Sequence, residues 1–147
     1  NSKETLMTIQ PYLSFSGRAE EAIAFYQEVF GAELQMLLHF KDSPDPIPEG
    51  QIAKGWESKV MHASLKIGDS IVMASDGGSP DNAGFKGFSL SYTAKDMAEA
   101  DRVFAALAKG GTERMPLGKT FFSPRFGMVE DCFGVPWIVI VPAEHQH

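Results

Sequence analysis

One pattern occurs twice in this chain, and it restricts the fold more than any other feature. In each half a short alternating segment leads into an amphipathic stripe that ends on glycine. In the first copy, residues 9–15 alternate: Pro11, Leu13 and Phe15 lie on one face, and Gln10, Tyr12 and Ser14 on the other. Ala19, Ala22, Ile23, Tyr26, Val29 and Phe30 follow at helical spacing. Ser16 or Gly17 suits the helix start and Gly31 its end. In the second copy, Phe88, Leu90 and Tyr92 alternate with Ser89, Ser91 and Thr93. Asp96 with Glu99 has the spacing of a capping box, and the stripe is Met97, Ala100, Val103, Phe104 and Leu107. Gly110 and Gly111 close it. Helices are therefore expected near 18–30 and 96–109.

Three more strands can be read after each helix. In the first half they are 34–40, Val60–Ile67 and Ser70–Ser75, the last two joined by the tight turn Gly68-Asp69. In the second they are 112–116, Arg125–Glu130 and Pro136–Val141. Pro44, Pro46, Pro48 and Gly50 make 41–59 an irregular loop. The expected class is α+β: two βαβββ modules forming a curved eight-stranded mixed sheet with a concave cavity. One helix per module covers one sheet face, and the other face needs a cover or lines the cavity. The boundaries expected are one domain over 8–142, with module 1 at about 8–76, a linker at 77–86 and module 2 at about 87–142. Residues 1–7 and 143–147 are expected as tails.

Composition removes several function classes. The 147 residues carry 13 basic against 19 acidic side chains, net charge -6, without a basic cluster, so no nucleic-acid partner is expected. No apolar run reaches the roughly 18 residues of a membrane span, and the N-terminus lacks the basic-then-apolar signal pattern, so no membrane partner is expected. The single cysteine, Cys132, fits a reducing compartment, and the expected location is cytoplasmic.

Taken in order, Pro11-Tyr12-Leu13-Ser14-Phe15, Ala22-Ile23-Ala24-Phe25-Tyr26, Phe30-Gly31-Ala32-Glu33, Phe126-Gly127-Met128-Val129-Glu130-Asp131 and Phe133-Gly134-Val135-Pro136-Trp137 resemble a known superfamily. It is that of glyoxalase I, the bleomycin-resistance proteins and the extradiol dioxygenases, and within it the PhnB-like branch. The resemblance spans roughly residues 8–142. It implies, for metal-using members, four ligands from the cavity faces of the first and last strand of each module. Here the matching positions are Gln10, Met73 (or Ala74), Ser89 (or Phe88) and Ile138 (or Val139). Only Gln10 is a plausible donor, so no metal and no cofactor are expected. Some PhnB-like chains carry a ubiquinone methyltransferase label. This chain lacks the glycine-rich turn of a doubly wound sheet, which argues against that chemistry.

The candidate ligand-binding residues are Gln10, Tyr12, Met73, Ser89, Arg125 and Ile138. Tyr12, Met73 and Ile138 would supply an apolar lining, or they are plain core. Arg125, after Phe121-Phe122-Ser123-Pro124, suits a bidentate grip on a phosphonate, phosphate or carboxylate, or it is a surface arginine stacked on Phe122. His62 shares a face with Ser64 and Lys66 and is the candidate acid or base; the alternative is a hydrogen-bonded edge histidine. Trp56 could lid the cavity, Trp137 should pack under a helix, and His39 should be solvated beside Glu33 and Gln35. A displaced metal site would need His62 with Glu57 or Asp76. Two functions follow: a homodimer that binds a small molecule in a metal-free cavity, or a superfamily enzyme of lyase, transferase or isomerase type. The enzyme would have a relocated or metal-free site and act on a phosphonate or other small anion.

Overall fold

The computed structural model describes residues 8–81 and 84–143. The expected tail 1–7 and, of the expected tail 143–147, residues 144–147 lie outside the described residues, as do 82 and 83 of the linker. The chain divides into two compact units, 1–82 and 83–147. Each holds one helix and a four-stranded mixed sheet, so the two βαβββ modules are present.

In the first unit, β1 (Tyr12–Ser14) leads to α1 (Ala19–Phe30), then β2 (Glu33–His39), β3 (Val60–Ile67) and β4 (Ser70–Ser75). The sheet order is β1-β4-β3-β2, with β1 parallel to β4 and the other pairs antiparallel. The predicted stripe of α1 is buried through Ala19, Ala22, Ile23, Tyr26 and Val29. Leu13, Ala63, Leu65, Val72 and Ala74 form the buried side of the sheet. Gly31 ends the helix in the left-handed region, its N–H donating to the carbonyl of Gln27.

The start of α1 departs from expectation. Neither Ser16 nor Gly17 caps it by side chain; the N-cap position is Arg18, which makes no side-chain cap. The work falls to Asp76, 1% exposed, just past β4. One of its oxygens accepts from the N–H groups of Gly17 and Ala19, both at 2.8 Å, and the other accepts from Val60 N–H at 2.8 Å. A carboxylate so placed satisfies orphan donors at the helix start and favours the positive helix end.

Two further expectations are corrected here. Trp56 is no lid: it is buried, its indole N–H donates to Gly77 carbonyl at 2.7 Å, and it staples loop 41–59 onto its own unit. Gly17 is needed beneath it, because a Cβ there would meet the indole at 3.2 Å with φ at +108°. His39 is half-buried rather than solvated beside Glu33 and Gln35. After a register shift between Leu38 and His39 it stands as the N-cap of the 3-10 turn Phe40–Asp42, its ring nitrogens 3.3 Å from Asp42 and 3.3 Å from Glu20.

In the second unit, β5 (Leu90–Thr93) leads to α2 (Met97–Ala108), β6 (Thr112–Gly118), β7 (Arg125–Glu130) and β8 (Pro136–Val141), in the order β5-β8-β7-β6. Glu99 N–H donates to Asp96 at 2.8 Å, as the capping box requires. The return arm falls one residue short: Glu99 accepts from the N–H of Lys95 rather than from the cap residue itself. Ala100, Val103, Phe104 and Leu107 are buried, whereas Met97 leaves the stripe and is 42% exposed. Phe104 packs on Gly127 of β7, where a Cβ would stand 2.8 Å from the ring. Trp137 is buried as expected, its indole donating to Asp131 at 2.9 Å.

Candidate functional site

In each unit the helix packs on one face of the sheet and leaves the other without a helix. The strand registers decide which side chains share that helix-free face. In the first unit, Met36 pairs with Ser64, Ser64 with Met73, and Met73 with Tyr12, a row across all four strands. Leu13 and Ala74, one residue on, pair on the buried side. Met73 rather than Ala74 therefore stands on the helix-free face, at the position the family resemblance uses.

His62 lies two residues before Ser64 on the same face. Its Nδ1 is 3.3 Å from the Tyr12 hydroxyl, with ring centroids 5.5 Å apart and planes at 38°. Tyr12 is half exposed and His62 partly so. Either the phenol donates to Nδ1, leaving Nε2–H as an outward donor, or Nδ1–H donates to the phenol oxygen, leaving Nε2 as an outward acceptor. The pair can thus present a donor or an acceptor to a ligand by shifting tautomer. Gln10 lies two residues before Tyr12, just outside β1, and is exposed.

The second unit repeats the geometry with other chemistry. Met115 pairs with Met128, Met128 with Ile138, and Ile138 with Ser91. Ile138 is half-buried on this face while its neighbours Trp137 and Val139 are buried on the other. Ser89 precedes Ser91 by two residues, just ahead of β5. Arg125 does not join them. It pairs with Val141 and alternates with Gly127 and Val129 on the helix side, and its Nε donates to Asp101 of α2 at 3.0 Å. The six proposed ligand residues thus divide as Gln10, Tyr12 and Met73 in one unit, and Ser89, Ile138 and Arg125 in the other, with Arg125 on the opposite face.

The metal that the superfamily implies does not fit this donor set. A thioether, an aliphatic side chain and a serine hydroxyl stand where carboxylates or imidazoles are needed. Of the two carboxylates named for a displaced site with His62, Glu57 or Asp76, Asp76 is engaged elsewhere, both of its oxygens accepting from backbone N–H groups. Among the described residues, no group of three or more His, Cys, Asp or Glu side chains is placed to hold a metal ion.

The Tyr12–His62 pair was not legible in the sequence, where Tyr12 reads as apolar lining; fifty positions separate the two, and only the sheet order joins them. Tyr92 of the second unit carries a shifted phenol. Burial, the negative charge of Glu99 and a hydrogen bond to that carboxylate raise the Tyr92 phenol above its ordinary 10.0, against an opposing pull from Arg102.

Residues 7–140 match the family described as 3-demethylubiquinone-9 3-methyltransferase. The chain is 36% identical over 142 residues to protein YjdN of Escherichia coli (strain K12), covering 92% of this chain and 95% of that one. It is similar to the crystal structure of protein PA1353 from Pseudomonas aeruginosa, at TM-score 0.82 and 41% identity, covering 95% of this chain and 100% of the other. It is also similar to the putative 3-demethylubiquinone-9 3-methyltransferase PhnB protein from Bacillus cereus, at TM-score 0.72 and 32% identity, covering 92% and 99%. The fold alone recurs in the glyoxylase/bleomycin resistance protein/dioxygenase domain from Frankia sp. EAN1pec, at TM-score 0.61 and 15% identity, covering 99% and 97%. The described residues form two βαβββ modules of that fold and not a doubly wound parallel sheet.

Proposed function

This chain belongs to the family described as 3-demethylubiquinone-9 3-methyltransferase, in its PhnB-like branch, and from that premise we propose that it is a small-molecule-binding protein. In this reading the helix-free sheet face of each unit offers ligand-contacting residues, the protein works as a cytoplasmic homodimer, and no divalent metal takes part. The observation that carries the reading is the Tyr12–His62 pair beside Met73: a hydrogen-bonding group of adjustable polarity set against an apolar, polarisable surface. Gln10, Ser89 and Ile138 are assigned to the same function. Arg125 is not, because its guanidinium is engaged with Asp101 on the helix side. Pairing of two copies is supported by the partly exposed Met36 and Met115 on those faces, which benefit from cover, and by the habit of the superfamily. The single cysteine supports the cytoplasm. Among the described residues, no helix is long and apolar enough to cross a membrane.

The experiment is elemental analysis of untagged protein, with mass spectrometry of the organic molecules it carries. A retained organic ligand, lost in Tyr12→Phe and His62→Ala, supports the reading. One equivalent of divalent metal that survives desalting and disappears in Gln10→Ala overturns it. Sedimentation as a monomer of 16.1 kDa at micromolar concentration removes the dimer.

A second reading has one observation in its favour. The Tyr12–His62 hydrogen bond is also the arrangement of a proton-transfer pair, with His62 as base. An enzyme of lyase, transferase or isomerase type acting on a phosphonate or other small anion would use it. Turnover with a pH profile that loses its histidine limb in His62→Gln distinguishes that case from binding alone.

A further inference from the structure

The second unit carries a groove of about 830 Å³ between the β6–β7 loop, the start of α2 and the end of β8. That volume is in the range of small-ligand sites. None of the ligand residues named above for the helix-free faces lines this groove, although Phe122 abuts Phe126, which shares the helix-free face of the second unit with Met128. We propose that it is a binding site for a planar aromatic monoanion, held by Phe121 and Phe122 and by the ammonium groups of Lys95 and Lys119.

The aromatic part rests on the loop. Phe121 is 99% exposed, yet it stands on an ordered turn. Thr120 N–H donates to Ser123 carbonyl at 2.9 Å, Phe122 N–H donates to the Thr120 hydroxyl at 3.3 Å, and the Ser123 hydroxyl donates to Val141 carbonyl at 2.6 Å. The rings continue the order inward. Phe121 meets Phe122 edge-to-face at 5.0 Å, and Phe122 meets Phe126 in the same way at 5.0 Å. A fully solvated ring oriented in this way needs little further ordering to stack on a flat ligand. Met97, displaced from the helix stripe, adds polarisable surface to the same groove.

The anionic part rests on a local reversal of charge. The chain as a whole carries -6, but this groove holds two lysines against one acid. That acid, Asp96, already accepts the hydrogen bond that caps α2. Among the described residues neither lysine ammonium has an ion-pair partner. An aromatic carboxylate satisfies both halves of the site, its ring against the phenylalanines and its charge toward the lysines.

The test is calorimetric titration of the full chain with 2-naphthoate, and with 2-naphthalenemethanol as the uncharged analogue. Naphthoate is expected to bind, the alcohol roughly tenfold or more weaker, and added salt to weaken only the anion. Lys119→Gln and Lys95→Gln should each reduce naphthoate affinity by about threefold to tenfold, the scale of a partly solvated charge-assisted hydrogen bond. Phe121→Ala should reduce affinity for both compounds; the change removes a solvent-exposed ring, and circular dichroism checks that the variant is folded. The proposal is overturned by absence of naphthoate binding at millimolar concentration, by equal affinity for the alcohol, or by unchanged affinity in Phe121→Ala. It is also overturned if Phe121→Ala dissociates a dimer, which assigns the loop to a protein contact. Loss of naphthoate binding in Tyr12→Phe but not in Phe121→Ala moves the ligand to the helix-free face and refutes the groove alone.

Discussion

Replacing Asp76 with alanine removes one carboxylate and leaves three backbone donors without an acceptor. The N–H groups of Ala19 and Val60 are buried, and that of Gly17 is partly so, each donating at 2.8 Å in the native protein. An unsatisfied buried donor costs about 1–3 kcal/mol, with the lower end applying where water can enter the vacated space. Three donors at about 1–1.5 kcal/mol each, including the lost favourable charge at the start of α1, give about 3–5 kcal/mol. For a chain of this length that corresponds to a fall in Tm of roughly 6–20 °C. Asp76→Asn keeps the volume but turns an NH2 toward at least one N–H, so it should retain only part of the stability. Urea unfolding followed by tryptophan fluorescence measures both variants. Native hydrogen exchange should show faster amides at Ala19 and Val60, with those of β7 and β8 unchanged. A loss below about 1 kcal/mol in a folded Asp76→Ala protein would refute the claim that this carboxylate joins helix and sheet.

In the second unit, Gly127→Ala places a Cβ 2.8 Å from the Phe104 ring and 2.9 Å from the Leu117 backbone, so a loss of about 1–3 kcal/mol is expected on denaturant unfolding; a neutral substitution would mean that α2 shifts freely on its sheet. Trp56→Phe strands the Gly77 carbonyl and should cost about 1 kcal/mol, with faster exchange confined to 41–59 and ligand uptake unchanged; loss of uptake would restore the lid. The Tyr92 phenol, raised in the folded state, contributes stability that is complete below the unfolded value of 10.0 and is lost as pH rises through the folded value. Ultraviolet titration should show the Tyr92 phenol ionising earlier in Glu99→Gln than in the native protein, and the absence of that downward shift refutes the assignment.

The periodic patterns alone placed both helices within one residue at each end, and four of the eight strands with their limits unchanged: Val60–Ile67, Ser70–Ser75, Arg125–Glu130 and Pro136–Val141. That is possible because amphipathic spacing and glycine exits are local properties of the chain. The same repeat already implied two βαβββ modules, and the ordered motifs at both ends added the family. What escaped was every feature made by residues distant in sequence. Asp76 reads as the first polar residue after a strand, and only the return of β4 beside the start of α1 makes it that helix's acceptor. Trp56 in a proline-rich loop looked free to cover a cavity until the Gly77 carbonyl was brought to its indole. The face of Arg125 was equally hidden. In β7 the alternating sets are Arg125, Gly127, Val129 and Phe126, Met128, Glu130, and the second is no less apolar than the first. The missing Cβ of Gly127, which admits Phe104, decides which set turns to the helix and so carries Arg125 to Asp101. The Tyr12–His62 pair has the same origin: alternation put each residue on a face, but only the strand order β1-β4-β3 brought the two rings within hydrogen-bonding reach.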